Sequence, residues 1–301
     1  MSDEETTTIF VASSLPTTAS RWWSKETVAI VTGANKGIGF GLVKRLAELG
    51  LTVVLTARDG GRGLEAVRAL KGEGLDVHFF CLDVSNPNSI KTFASWFQHT
   101  FGVLDILINN AAVSFNDLQE NSVKHAEAVI RTNFYGPKLL TEALFPLFRC
   151  SPVGSRVLNI SSRLGLLNKL ENPKLKEILK DEENLSENQI EGMLNLFLQS
   201  VKNGTWKSCG WPQHWTDYSV SKLALNSYSK ILAKRYKGND LSVNCFCPGF
   251  TQTSMTGGKG MHTADAVADV GAWLALLPME KLQTGKFYVL GSHNRSNHSK
   301  L

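Results

Sequence analysis

From Thr27 onward the chain keeps one rhythm: a short aliphatic, β-branched run, then a longer amphipathic segment. The runs cover 27–32, 51–56, 77–82, 104–109, 156–161, 241–247 and 286–290, seven in all. Between them, segments such as Gly39 to Leu49 and Ser89 to Phe101 place apolar residues at helical intervals. Strands that are apolar throughout, each followed by a helix, are covered on both faces, which points to a parallel sheet between helical layers. The expected fold is a doubly wound, mostly parallel seven-stranded α/β sheet in a single domain over residues 25–290.

The rhythm breaks once, between Arg163 and Thr216. A structureless loop of that length is improbable inside a compact domain. Ser186 and Gln189 have the spacing of a capping box, and Ile190, Met193, Leu194, Phe197 and Val201 follow at helical intervals, so 163–216 is read as a helical insertion that packs on the domain. Residues 1–24 are rich in Ser and Thr, start acidic and lack periodicity. They read as a mobile arm, with neither the basic start and apolar core of a secretory leader nor the arginines of a transit peptide. Residues 291–301 form a polar tail ending Ser299-Lys300-Leu301, a peroxisomal address read by an import receptor; the alternative is a cytoplasmic protein with a chance ending.

Composition removes several classes. No apolar run approaches the roughly 18 residues of a membrane helix. The net charge of +5 is spread without a Lys/Arg block, which speaks against nucleic acid and suits a small anionic ligand. Five cysteines, an odd number, read as buried thiols in a reducing compartment, and Cys245 and Cys247 have no matching pair for a metal site.

The first run leads straight into Thr32-Gly33-Ala34-Asn35-Lys36-Gly37-Ile38-Gly39, where a helical pattern begins. Glycines there let the backbone turn tightly and approach a pyrophosphate, and the helix N-terminus supplies free N–H groups, so this Rossmann-type turn reads as a dinucleotide site. An acidic residue after the second strand would favour NAD. Here that strand ends in Arg58, able to hold the extra phosphate of NADP, with Lys36 as a second cation; Asp59 lies one position farther out. NADP(H) is the expected cofactor, and no metal is expected.

Downstream, Tyr218-Ser219-Val220-Ser221-Lys222 sets a phenol and an ammonium on one helical face. Together with the glycine turn, Asn109-Asn110-Ala111-Ala112, Asn133, Ser161-Ser162 and Pro248-Gly249, it resembles the short-chain dehydrogenase/reductase family over about residues 25–290. The form of the turn, the insertion and Gly210-Trp211-Pro212 resemble its carbonyl reductase branch, particularly plant reductases of the salutaridine and menthone type. The resemblance implies Asn133, Ser162, Tyr218 and Lys222 as the catalytic four. Tyr218 would protonate the carbonyl oxygen as hydride arrives, its pKa lowered by Lys222 and the oxidised nicotinamide. Ser162, with Ser161 as rival, would hydrogen-bond that oxygen, and Asn133 would support a water relay to Lys222, which also holds the nicotinamide ribose.

By position the resemblance adds Asp83 and Val84 near the adenine, Asn110 near its ribose, Pro248 and Gly249 beside the nicotinamide, and Thr253 on its carboxamide. Ala112 stands where the family commonly has glycine, and Thr251 where it has an apolar residue. Trp206, Trp211 and Trp215 crowd the end of the insertion; they wall an apolar substrate pocket, with Phe250 opposite, or they anchor the insertion to the core. The glycine-rich segment from Thr251 to His262 reads as a flap, and the insertion implies a monomer. The leading expectation is reversible, NADPH-dependent reduction of a ketone or aldehyde; the alternative is a noncatalytic NADP(H) sensor acting through a partner protein.

Overall fold

The computed structural model describes residues 6–9, 21–115, 122–149 and 154–291. The ten described strands are β1 Thr6–Ile9, β2 Val28–Val31, β3 Thr52–Ala57, β4 His78–Cys81, β5 Ile106–Asn109, β6 Ser155–Ile160, β7 Leu241–Cys247, β8 Thr251–Gln252, β9 His262–Thr263 and β10 Phe287–Leu290. The nine described α-helices are α1 Gly37–Glu48, α2 Gly60–Gly72, α3 Pro87–Thr100, α4 Val123–Ile130, α5 Gly136–Leu144, α6 Pro173–Lys180, α7 Glu187–Lys202, α8 Thr216–Arg235 and α9 Ala264–Leu276.

The main sheet is parallel, in the order β1-β10-β7-β6-β5-β2-β3-β4. Its central strands β2, β5, β6 and β7 are buried along their whole length, which is why they read as unbroken apolar runs. Alternate residues serve opposite faces: Ile30, Val54, Leu107 and Val157 join one core, and Val31, Leu55, Ile108 and Leu158 the other. The chain winds from β2 out to β4, then returns to β5 on the other side of β2. That reversal opens a crevice at the carboxyl ends of the strands.

The sheet has eight strands, one more than expected. The extra one comes from the arm: Thr6 to Ile9 pair with Phe287 to Leu290, so the segment is structured there. Trp22 and Trp23 also belong to the domain. The Trp22 indole donates to the Leu276 carbonyl at 2.8 Å and lies 3.9 Å from the buried Arg156 guanidinium, and the Trp23 indole donates to Leu49 at 3.3 Å.

The insertion holds α6 and α7. The capping box of Ser186 and Gln189 forms, and Ile190, Met193, Leu194, Phe197 and Val201 are buried where α7 packs on α4 and α8. Lys138 of α5 bonds Glu187 at 2.5 Å and Glu191 at 3.0 Å, and Arg235 of α8 bonds Glu187 as well. Burial alone would lower the Lys138 pKa, but these bonds hold it above the ordinary lysine value. Among the described residues no helix is long and apolar enough to cross a membrane, and no group of three His, Cys, Asp or Glu is placed to hold a metal ion. The four described cysteines are free; Cys245 and Cys247 are buried as expected, but Cys81 is exposed because it ends the edge strand β4.

Candidate active site

A cleft of about 740 Å³ runs along the carboxyl ends of the sheet. At its phosphate end, Gly33 has φ +61°, and a Cβ there would sit 2.8 Å from the Ala111 backbone. Gly39 is buried rather than lining; a Cβ on it would strike the Asn110 amide at 2.4 Å. Each position admits only glycine, so the turn lies tight on β5. Asn110 locks it by donating to the carbonyls of Thr32 at 2.8 Å and Gly33 at 3.2 Å. Lys36 caps α1 with no side-chain bond, so its first N–H groups face the cleft beside Asn35, Gly37 and Ile38. Free N–H groups at a helix N-terminus favour an anion.

Arg58 and Asp59 part company at the end of β3. The Asp59 carboxylate accepts the Arg62 N–H at 3.0 Å as the cap of α2, while Arg58 lines the cleft. Asp83 and Val84 close this end, with Asp83 fixed by Ser85 at 2.9 and 2.7 Å. Pro248, Gly249 and Thr253 also line the cleft, with Thr253 close to Gly37 of the glycine turn. The Thr251 hydroxyl turns back to the Pro248 and Gly249 carbonyls at 3.2 and 3.4 Å, which explains how a polar residue is buried there.

Tyr218 and Lys222 stand in the first turns of α8, both lining the cleft and both buried. The Lys222 ammonium donates to the Ile160 carbonyl at 2.8 Å and lies 5.5 Å from the Tyr218 ring centre. Burial pushes the Lys222 pKa down to about 8. Burial, with a smaller contribution from Cys247, also pushes the Tyr218 phenol up. Burial favours the neutral form of each group.

The two rival serines both line the cleft but differ in their bonding. Ser161 is buried and donates to Asn226 at 2.5 Å, whereas Ser162 is half-buried on the cleft wall and accepts the Leu164 N–H at 3.1 Å. Asn133 sits in a π-helical turn, Arg131–Tyr135, that joins α4 to α5 and that no periodicity announced. Its amide grips both backbone groups of Val113, at 2.9 and 3.0 Å, and donates to Ser221 at 3.1 Å. Ser221 in turn donates to the Tyr218 carbonyl at 2.7 Å. Asn133 does not itself line the cleft, so its side chain holds a wall and the catalytic helix in place.

Of the three tryptophans, only Trp215 reaches the cleft. It adopts φ +50° ahead of α8 and meets the Tyr218 ring edge-on at 5.7 Å. Trp211 is buried against Phe197 at 5.2 Å, and Trp206 packs on the same core, so both anchor the insertion; placing Trp211 in the substrate pocket is corrected. Phe250 does line the cleft. Phe115, Arg163, Leu164, His214 and Met255 also line it, and sequence reasoning missed all five. Arg163 alone carried a signal, its place next to Ser162.

A family model described as short chain dehydrogenase matches residues 27–173 and 210–263. This chain belongs to that family. Within the short-chain dehydrogenases it is 38% identical to (+)-neomenthol dehydrogenase of Arabidopsis thaliana, over 86% of this chain and 95% of that protein. It is 37% identical to carbonyl reductase [NADPH] 1 of Mus musculus, over 85% and 92%. The solved structure of salutaridine reductase from Papaver somniferum superposes with a TM-score of 0.80 at 34% identity, covering 87% of this chain and 99% of that one. The gap in the family match, between 173 and 210, falls on α6 and α7.

Proposed function

We propose that the protein is an NADPH-dependent carbonyl reductase that converts a ketone or aldehyde to an alcohol, reversibly. The residues present suit the cofactor: unbonded N–H groups at the start of α1, Arg58 free to pair with a phosphate, and Asp59 occupied in capping α2. When bound, NADPH supplies the hydride. Tyr218 delivers the proton, and its raised pKa keeps the phenol protonated at neutral pH. Ser162 donates a hydrogen bond to the carbonyl oxygen as charge develops there. Lys222 holds the nicotinamide ribose and stabilises charge on Tyr218. Relatives named as carbonyl and menthol-type oxidoreductases support the same chemistry.

The observation that carries this reading is the meeting of Ser162, Tyr218 and Lys222 on one wall of a cleft whose far end is an anion site. The test is NADPH oxidation against cyclic ketones and medium-chain aldehydes. Tyr218→Phe should lower kcat by about a hundredfold or more; turnover that survives it would sink the mechanism, and tight NADPH binding without turnover would favour the sensor. We also propose a monomer, because α7 covers the outer sides of α4 and α8, to be checked by light scattering. Peroxisomal import through Ser299-Lys300-Leu301, which lie outside the described residues, is proposed from the sequence. Loss of peroxisomal fluorescence when these three residues are removed from a tagged protein would support it.

A further inference from the structure

Among the described residues the cleft is unbalanced in charge: Lys36, Arg58, Arg163 and Lys222 line it against a single carboxylate, Asp83. Under the proposed function three of these cations are accounted for. Lys36 and Arg58 serve the phosphates, and Lys222 is buried with its ammonium on the Ile160 carbonyl. Arg163 has no such task. It makes no ion pair among the described residues and is exposed at the mouth of the cleft. Its backbone is rigid, with the N–H donating to Cys247 Sγ at 3.3 Å and the carbonyl accepting Leu166 at 3.2 Å.

Arg163 also stands apart from the phosphate end. Neighbouring strands lie about 4.8 Å apart, so the end of β6 is about 10 Å from that of β2 and about 14 Å from that of β3, where Arg58 stands. Leu164 follows Arg163 directly, and the same cleft carries the apolar side chains of Trp215, Phe115, Phe250 and Met255. An exposed guanidinium on a held backbone next to Ser162, at the rim of a largely apolar pocket, suits an amphiphile with a reducible group inside and an anion at the mouth. A permanently charged planar fork matches a carboxylate with two parallel hydrogen bonds.

We propose that the substrates are carbonyl compounds bearing a carboxylate remote from the carbonyl, bound with that carboxylate on Arg163. This rests on the carbonyl reductase reading. The test compares a medium-chain ω-oxo carboxylic acid, its methyl ester and the plain aldehyde of equal length, each with NADPH. The acid is expected to exceed the ester in kcat/KM by about tenfold, mainly through KM, because a charged hydrogen bond at an exposed rim acts at the low end of its range. Added salt should erode that preference. Arg163→Leu should bring the acid-to-ester ratio to about one, and Arg163→Lys should keep part of it. Without any variant, a saturated fatty acid should compete with the aldehyde, and its methyl ester should not. An acid-to-ester ratio near one in the wild type, or a ratio that survives Arg163→Leu, overturns the assignment. Turnover of the plain aldehyde alongside either result leaves the reductase reading intact; no NADPH oxidation with any of the three overturns that reading and this one together.

Discussion

Replacing Asn133 by alanine removes the amide that ties the cleft wall to the catalytic helix. Three bonds are lost, at 2.9 and 3.0 Å to the two backbone groups of Val113 and at 3.1 Å to Ser221. An orphaned polar group in a protein interior costs about 1–3 kcal/mol. Val113 is half-buried, and water entering the vacated space would recover part of the loss, so the expected destabilisation is about 2–4 kcal/mol. A domain with the usual 5–15 kcal/mol or so survives that. The assay is urea unfolding, with a lower midpoint at unchanged slope. Because Val113, Ser114 and Phe115 line the cleft, KM for NADPH should rise alongside. Asn133→Asp should fare no better, since a carboxylate accepts from the Val113 N–H but repels its carbonyl. An alanine variant within about 0.5 kcal/mol of wild type, the usual range of an inconsequential substitution, would refute the clamp.

Three further outcomes are expected. Arg58→Gln should raise KM for NADPH about tenfold and narrow the preference over NADH, as steady-state kinetics with each cofactor would show. Lys222, lowered by burial from 10.5 to about 8, binds fewer protons folded than unfolded between those values, so unfolding free energy should rise with pH across that window. Compared with Lys222→Met, the wild type should gain about 3 kcal/mol from pH 8 to pH 10.5 and nothing below pH 8, measured by denaturant titration at each pH. Trp211→Ala should cost about 3–5 kcal/mol of stability, whereas Trp215→Ala should act chiefly on substrate KM; equal effects of the two on KM would contradict their separate placements.

Where local pattern and tertiary environment agree, residues announced their own roles. The buried strands, the glycine turn and the capping box of α7 were legible because each depends on neighbours in sequence. Arg58 against Asp59 was legible in outline, and the cap of α2 supplies the reason. What escaped notice depends on distant partners. Trp211 and Trp215 are alike in sequence context, and only the path of the insertion decides that one meets Phe197 and the other Tyr218. The π-helical turn at Asn133 has no compositional mark. The depth of burial that raises the Tyr218 pKa is likewise a property of the assembled core. β1 was missed because four residues, mostly Thr, carry no period long enough to detect, and the open edge of β10 is what makes them a strand.

That edge strand sets an order of events during synthesis. Thr6 and its neighbours leave the ribosome long before their partners, Phe287 to Leu290. Domains otherwise begin to organise as they emerge, N-terminal parts first. Here β1 must wait, unpaired, until the intervening strands and helices have been translated, and it then fastens the sheet like a clasp. β10 is thus closed from outside by β1, leaving that edge of the sheet to a segment of four residues, too short to offer another chain much of a template.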